Sequence, residues 1–274
     1  MIQGLLCLLL LLLLVSCGSS TLDADFHSPT VRFQTPETTG KTLGLRAQGS
    51  FGSSHRVSMA RTRQTRTLIN NTPSAIVFDR NVEYSVSNEL GYGADVGILS
   101  RLDFVFSKRT YAHYRFGGKL QLLGTPGTAT PGVKVALMGS YGYQKKRDLS
   151  SPGIFEKKED YTTVTGDTTA KSTDYAGMVG YRVSSHVLYY LIGFQDQNKA
   201  HTTLSVQQQS DINLENTFKT RGLNLGLELA QGSEKDTAMS GAFVLLEGGF
   251  SEIVDVEGLK VRHRTYGVAV GARF

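Results

Sequence analysis

The sequence predicts an all-β protein, an antiparallel transmembrane β-barrel of about ten strands. Two observations support this fold class. Apolar and polar residues alternate with a period of two in about ten segments, and the connections between them alternate between short and longer. The possible counts run from eight to twelve. Twelve applies if residues 52–87 insert as two further strands, whereas an external hairpin that extends the first two strands leaves ten.

The alternation also indicates which face of each strand points outward. Within residues 88–99, one face carries Leu90, Tyr92, Ala94 and Val96, and the other carries Glu89, Gly91, Gly93 and Asp95. Unpaired carboxylates in an apolar interior cost several kcal/mol each, so the second face must meet water or cations. We therefore expect the apolar face to point toward lipid and the charged face toward the lumen.

The N-terminal residues predict a cleavable signal peptide over residues 1–16. The stretch Leu5–Val15 is apolar except for Cys7, ends in small residues, and is shorter than the roughly 20 residues of a spanning helix. The tetrad Leu14-Val15-Ser16-Cys17 resembles the lipobox of bacterial lipoproteins. This resemblance implies that Cys17 is lipidated and becomes the first residue of the mature chain.

The remaining chain divides into a tether and a barrel. Residues 17–40 are rich in Ser, Thr and Pro and show no periodicity, which predicts a lipid-anchored N-terminal tether. Periodicity of two begins at Lys41, so residues 41–274 are assigned to the barrel. Both cysteines of the chain precede Gly18, and no internal disulfide is expected in the mature protein.

The last nine residues, Tyr266–Phe274, alternate apolar residues and end in phenylalanine. They resemble the C-terminal strand signal of Gram-negative outer-membrane β-barrel proteins, and the resemblance extends over roughly residues 41–274. It implies that the barrel-assembly machinery recognises this strand, with Tyr266 and Phe274 as the terminal assembly signal. It also implies an outer-membrane location, to which the Cys17 anchor would add, with short periplasmic turns and long external loops.

The predicted lumen carries the largest set of charged residues. Two interpretations are open: an internal salt-bridge network that fills a narrow barrel, or the lining of a small hydrophilic pore. Barrels near eight strands are filled by side chains and those of sixteen or more hold channels, so ten favours filling. The many inward glycines favour a pore, because they leave room. The lumen-facing polar residues are Arg46, Glu89, Asp95, Asp103, Arg115, Lys119, Glu228, Glu247 and Arg273.

The sequence offers little toward catalysis. It shows no nucleophile–base arrangement, metal-ligand spacing or phosphate-binding glycine loop, and His113 is the best enzymatic candidate among six histidines. We expect a non-enzymatic barrel without cofactor or metal, acting in envelope structure or in narrow porin-like solute passage. The alternative is a surface binding or adhesion module acting through external loops 144–173 and 195–220. A lipid-modifying barrel enzyme is the third option.

The last strand also predicts a contact with lipopolysaccharide. Arg262 and Arg264 continue the outward face above Tyr266, roughly 25 Å or more above Phe274 at about 3.3 Å per residue and a tilt near 40°. Guanidinium groups bind phosphate with bidentate geometry; the alternative is a pair of solvated loop arginines. The expected partners are outer-membrane lipid, lipopolysaccharide and the barrel-assembly machinery, with no nucleic acid, and the chain is expected to be a monomer.

Overall fold

A computed structural model describes residues 21–63, 77–79, 83–127, 130–146, 164–206, 212–231, 241–255, 258 and 260–274. No helix in this part of the chain is long and apolar enough to cross a membrane. The strands are β1 (Thr21–Pro29), β2 (Leu45–Arg63), β3 (Val77–Asp79), β4 (Glu83–Leu99), β5 (Leu102–Arg109), β6 (Tyr114–Leu123), β7 (Gly132–Lys146), β8 (Val164–Arg182), β9 (Val187–Val206), β10 (Ile212–Ala230), β11 (Gly241–Asp255) and β12 (Lys260–Arg273).

Ten of these strands close into an antiparallel barrel. The ring runs from β4 through β12 in chain order, and β2 closes it by pairing with both β12 and β4. The predicted fold class and the count of ten are confirmed. The segment 52–87 extends β2 and β4 upward, with Ser58 paired to Glu83, instead of adding two strands to the ring. The short strands β1 and β3 pair with β2.

The register of the ring gives the shape of the barrel. Following paired residues once around from Ala272 on β12, through β2 and the other strands, returns to β12 at Lys260, a shift of twelve residues. With ten strands, this shear gives a strand tilt of about 40° and a backbone radius of about 10 Å. Each residue then rises about 2.5 Å along the barrel axis. Below, heights along this axis are measured from Phe274.

The two ends of the barrel differ. The end at Phe274, here the turn end, carries the connections β4–β5, β6–β7, β8–β9 and β10–β11; the opposite end is the loop end. The prediction of long loops at 144–173 and 195–220 is wrong in extent. β8 begins at Val164, β9 runs to Val206, and β10 begins at Ile212. The sequence hid these strand extensions because their outward faces are polar, so the apolar alternation used to find strands fades.

The N-terminal segment runs through the lumen. β1 pairs antiparallel with the upper part of β2, ending at Pro29 opposite Ser54. The chain then descends inside the barrel to Gly40 and enters β2 at Leu45. Gly40 has a positive φ of 79°, and a Cβ at this position would lie 2.2 Å from the Cα of Gly127, so only glycine fits here. Residues 26–38, here the luminal segment, are buried except for Arg32, which is half-buried.

The expectation of a tether over residues 17–40 is therefore wrong for residues 21–40. A tether is solvated, whereas this segment contacts the barrel wall. It shows no periodicity in sequence because wall residues surround it on several sides, so no single face is apolar. Cys17 and the signal peptide over residues 1–16 lie outside the described residues, and lipidation of Cys17 stays a prediction.

β1 also interrupts the closure of the barrel. β12 pairs with β2 only between Gly267 and Arg273, opposite Gly52 and Arg46. Above this seven-residue seam, β1 takes the edge of β2 that β12 would otherwise occupy. The luminal segment thus enters the lumen directly from the hairpin with β2.

Candidate functional site

The outer surface of the lower barrel is an apolar belt. Its side chains lie between height zero and about 22 Å, given the rise of about 2.5 Å per residue. Tyrosines recur near both edges, as in the interfacial girdles of membrane barrels, and aliphatic residues occur over the whole height. The belt includes Tyr181, Tyr189, Leu229 and Phe274 near the lower edge, Leu137, Val179, Leu225, Leu246 and Val270 in the middle, and Tyr92, Tyr141, Tyr175, Phe250 and Tyr266 near the upper edge, all exposed.

A ring of basic side chains lies directly above the belt, at heights of about 24 to 31 Å. It contains both arginines that the sequence assigned to lipopolysaccharide, Arg262 and Arg264. Arg264 lies opposite Phe250 in the β11–β12 register, at the upper edge of the belt. This basic rim consists of Lys145, Lys171, Lys199, Lys219, Arg221, Arg262 and Arg264, all exposed.

The Glu252 carboxylate holds two arginines of the basic rim in place. Glu252 lies between Arg221 and Arg262 in a single row across β10, β11 and β12. The Arg262 Nε donates to a Glu252 carboxylate oxygen at 2.9 Å, and the Arg221 Nε donates to the other oxygen. Glu252 stands above the apolar belt, and these hydrogen bonds from Arg262 and Arg221 hold its pKa below the ordinary value. The row therefore carries one net positive charge, and both guanidinium groups keep donors free to face outward.

The structure places all nine predicted lumen-facing residues inside the barrel, where each is buried. It adds inward charges that the sequence analysis missed. Asp174 and Arg182 alternate with the outward tyrosines of β8, so extending the period-two rule would have found them. Asp196 lies in a segment predicted as loop. The missed residues are Arg109, Lys134, Asp174, Arg182 and Asp196, all buried.

Near the turn end, the luminal segment is held by a shared ion-pair cluster. Arg182 binds Glu37 of the luminal segment through Nε and Nη2, at 2.6 and 2.5 Å. The same Nη2 donates to Glu228 at 2.6 Å, and Glu228 also accepts from Arg273 and, at 3.5 Å, from Arg46. Lys134 and Arg273 lie within 4.0 Å of Glu37 as well, so the cluster shares several cations between its two carboxylates, and Arg182 makes the closest contacts with Glu37.

In the middle of the barrel, polar groups of the luminal segment complete pairs on the wall. Lys119 donates to Asp95 at 2.7 Å, and Gln34 bridges them by donating to Asp95 at 3.0 Å and accepting from Lys119 at 3.3 Å. The backbone N–H of Arg32 donates to Glu247 at 2.9 Å. The wall charges thus find partners on the segment as well as on one another.

Nearer the loop end, the luminal segment again contacts both acidic and basic residues of the wall. The Arg32 guanidinium lies 2.9 Å from Asp174, which also pairs with Arg115 at 3.3 Å. Arg115 contacts Asp196, whose carboxylate accepts from the Ser28 hydroxyl at 3.1 Å. Above these, His27 Nδ1 lies 2.5 Å from a carboxylate oxygen of Glu89. The segment is anchored along its whole buried length.

Inward glycines provide the room for this segment. A Cβ on Gly52 would lie 2.6 Å from the Val31 side chain, and one on Gly267 would lie 2.5 Å from the Phe33 ring. The predicted link between inward glycines and an open pore is therefore wrong here. One cavity in the lumen, lined by Val31, Arg109 and Arg115 among others, has a volume of about 30 Å³. That is room for about two waters.

The barrel radius explains why a filler is needed. Facing sheets that interdigitate are about 10 Å apart, whereas opposite walls here are about 20 Å apart. Side chains from the two walls leave a central gap about as wide as one extended chain. The luminal segment fills this gap as a third layer, so a ten-stranded barrel is packed although side chains from directly opposite walls do not span the lumen.

The described residues offer no cluster of metal ligands. Among them, no three His, Cys, Asp or Glu side chains are grouped to hold a metal ion. The best enzymatic candidate from the sequence, His113, lies in the β5–β6 connection at the loop end, and its side chain is buried inside the barrel. Its ring packs edge-on against Phe26 at 4.6 Å, and Phe26 in turn packs against Phe218 at 5.0 Å.

The sequence matches no family model and no curated protein. Among solved structures, the chain is similar to two crystal structures of Ail, the attachment invasion locus protein of Yersinia pestis. The complex with the heparin analogue sucrose octasulfate gives a TM-score of 0.32 at 10% identity, and the other structure gives 0.28 at 12%. Each alignment covers 85% of this chain and 100% of Ail. At these scores the likeness carries no argument about ligand or role.

Proposed function

We propose that this chain is a non-enzymatic outer-membrane β-barrel lipoprotein, closed by its own N-terminal segment, that serves envelope structure and surface binding instead of solute passage. The observation that carries this proposal is the luminal segment, residues 26–38, buried and ion-paired to the wall from end to end. Because this segment fills the lumen, other molecules can bind only at the outer surface and at the protruding loop end.

The apolar belt supports the membrane location. Contiguous exposed apolar patches on soluble monomers rarely exceed a few hundred Å², whereas this belt surrounds the lower barrel. Its height of about 22 Å is close to the band of about 25 Å in outer-membrane barrels. Charged residues are buried inside and large apolar residues are exposed outside, the arrangement that lipid favours.

The basic rim supports a contact with lipopolysaccharide, which extends the sequence proposal for Arg262 and Arg264. Arginine and lysine at the height where the apolar belt ends would meet the phosphates of the outer leaflet. The exposed guanidinium of Arg262 keeps its position through Glu252. The opposite end carries the lower aromatic edge and the C-terminal Phe274, and it would face the periplasm.

A second candidate, narrow solute passage, requires the luminal segment to leave. The central gap of about one chain width would then open. Opening would strip partners from Asp174 and Glu247 as well as from Glu37 itself. Breaking one buried ion pair costs about 3–5 kcal/mol, so several together make a spontaneously open state rare.

A disulfide lock separates the two candidates. The hydroxyl oxygens of Thr30 on the luminal segment and Ser53 on β2 are 2.7 Å apart, so the pair Thr30→Cys and Ser53→Cys can form a bridge. We expect the purified wild-type barrel to show no steady conductance in a planar bilayer, and oxidation of the double variant to change nothing. Conductance in the wild type and in the reduced variant, but not in the oxidised variant, would establish passage by displacement. Conductance in the oxidised variant would refute the closed barrel.

A further inference from the structure

The direction of the luminal segment determines where the N-terminal end of the chain emerges. β1 runs antiparallel to β2, with Thr21 opposite Arg63 and Pro29 opposite Ser54. Arg63 ends the upward run of β2, so Thr21 stands at a height of about 45 Å, roughly 20 Å above the apolar belt. The chain therefore enters the lumen from the loop end and reaches the turn end only at Gly40.

The contacts along the segment fix this direction. Glu37 pairs with Arg182 near the turn end, whereas Ser28 binds Asp196 and His27 binds Glu89 nearer the loop end. These partners differ in charge and position, so a segment threaded in the opposite sense would separate Glu37 from Arg182 and place it at the level of Glu89. The hairpin of β1 with β2 adds a backbone ladder that only this sense allows.

Chain length then limits the position of Cys17. Thr21 is four Cα–Cα steps from Cys17, and a fully extended chain spans at most about 3.6 Å per step, or about 14 Å. The turn end lies about 45 Å below Thr21. An acyl group on Cys17 therefore cannot reach a leaflet at the turn end. Release of residues 21–25 from β2 would give about 29 Å of chain, enough to reach the basic rim.

From this geometry we infer that the N-terminal end of the mature chain is displayed at the loop end, outside the cell, and that a lipid on Cys17 inserts into the outer leaflet. The inference rests on the proposed membrane orientation. The barrel would then be attached to the same leaflet whose phosphates meet the basic rim. The luminal segment acts as the path that carries the N-terminal end across the membrane.

Epitope accessibility on intact Gram-negative cells tests this topology. One tag is inserted between Ser20 and Thr21, and two control tags are inserted after Ser185 at the turn end and after Gly258 at the loop end. We expect antibody to label the N-terminal tag and the Gly258 tag on intact cells, and the Ser185 tag only after permeabilisation. An N-terminal tag that behaves like the Ser185 tag would overturn the inference. Two control tags that behave alike would instead refute the proposed membrane orientation.

A protease site at the same N-terminal position tests the lipid. Cells are labelled with radioactive palmitate and treated intact with the external protease. We expect the barrel band to lose its label, because the acylated peptide is separated on the outside. Retention of label on the barrel, or a barrel that carries no palmitate before treatment, would refute the lipid half of the inference. The Cys17→Ser variant should lose the label yet keep the N-terminal tag accessible, since the luminal segment determines the path.

Discussion

The lower and upper halves of this barrel differ in the polarity of their outer surfaces. In the lower half, Leu225 and Val270 face outward, and the lumen buries charged residues such as Arg182 and Glu228 beside an apolar cluster that includes Leu188 and Leu245. In the upper half, exposed lysines of the basic rim face outward. An apolar cluster fills the interior there, formed by Phe26, Val57, Ala170, Ala200, Phe218 and Ile253. The same strands, β8 to β11, change from one arrangement to the other along their length.

This comparison shows that the surrounding solvent, more than the strand itself, determines which face is apolar. Below the basic rim, the proposed solvent is hydrocarbon, and charges are tolerated only inside, where they pair. Above it the solvent is water, so the outward face becomes polar while apolar side chains stay buried inside. The luminal segment matches both halves, since it places Phe26 in the upper cluster and Glu37 among the arginines below.

The largest expected effect comes from the charged lower lumen. Arg182→Met would remove three hydrogen bonds from buried Glu37 and Glu228, and we expect a loss of about 3–5 kcal/mol in the free energy of unfolding. Denaturant titration of the folded barrel in lipid vesicles measures it. The control Lys199→Met removes an exposed charge of the basic rim and should change stability by less than about 0.5 kcal/mol. Equal effects would mean that the lower cluster is not buried as described.

The upper cluster should respond like the core of a soluble protein. Phe218→Ala removes a fully buried ring that packs against Phe26, and we expect a loss of about 3–5 kcal/mol. The matched variant Phe250→Ala removes a ring that is 65% exposed on the apolar belt, and lipid can fill the space left behind. If Phe250→Ala proved the more damaging in the same titration, the placement of Phe250 on the lipid-facing belt would be wrong.

A charge on the apolar belt should cost somewhat less. Leu225→Arg places a guanidinium in the middle of the belt, and we expect a loss of about 2–4 kcal/mol, with Val270→Arg behaving similarly. The control Gln197→Arg lies on the same face of the neighbouring strand but above the belt, and it should be nearly neutral. Gly226→Arg is unsuitable as an inward control, because a Cβ there would lie 2.0 Å from the Tyr190 ring. The fraction of folded barrel, measured by heat-modifiable gel migration, is compared for Leu225→Arg, Val270→Arg and Gln197→Arg. Equal folded fractions in all three would contradict the assigned height of the membrane.

The smallest effect on stability is expected at the basic rim itself. Replacing Arg262 and Arg264 with Ser should lower co-purified lipopolysaccharide several-fold while changing stability by under about 1 kcal/mol, because Arg262 is exposed. Lys41→Ser, an exposed basic residue at the turn end, serves as the matched control and should leave lipopolysaccharide unchanged. Equal lipopolysaccharide in all three proteins would discard the contact.

The sequence predicts the parts of this fold in which one face meets a uniform surrounding. Strands such as β10 are visible through Leu223 to Leu229, because lipid on one side demands an unbroken apolar row. The upper parts of β8 and β9 are not visible, since polar threonines and lysines occupy faces that meet water. The luminal residues Glu89 and Asp95 are found by alternation from their apolar neighbours on β4.

The luminal segment is the part that sequence reasoning could not find. Phe26, Arg32 and Glu37 each match a different patch of wall, and those patches are assembled from strands far away in the chain. Their spacing therefore carries no period. One signal was present in the inward glycines: Gly267 and Gly97 leave space that Phe33 and Thr39 occupy.

The seven-residue seam between β12 and β2 sets an order of events during folding. β1 and β2 are neighbours in sequence and can pair early, whereas the seam joins residues 46–52 to residues 267–273, which carries the largest loop-closure cost in the ring. A chain end cannot easily be drawn through a finished cylinder whose interior is already packed. The luminal segment must therefore lie along β2 while the sheet is still open, and the final strand closes around it. During assembly the sheet consequently wraps around the N-terminal segment of the same chain, and pairing of β12 with β2 is the last step.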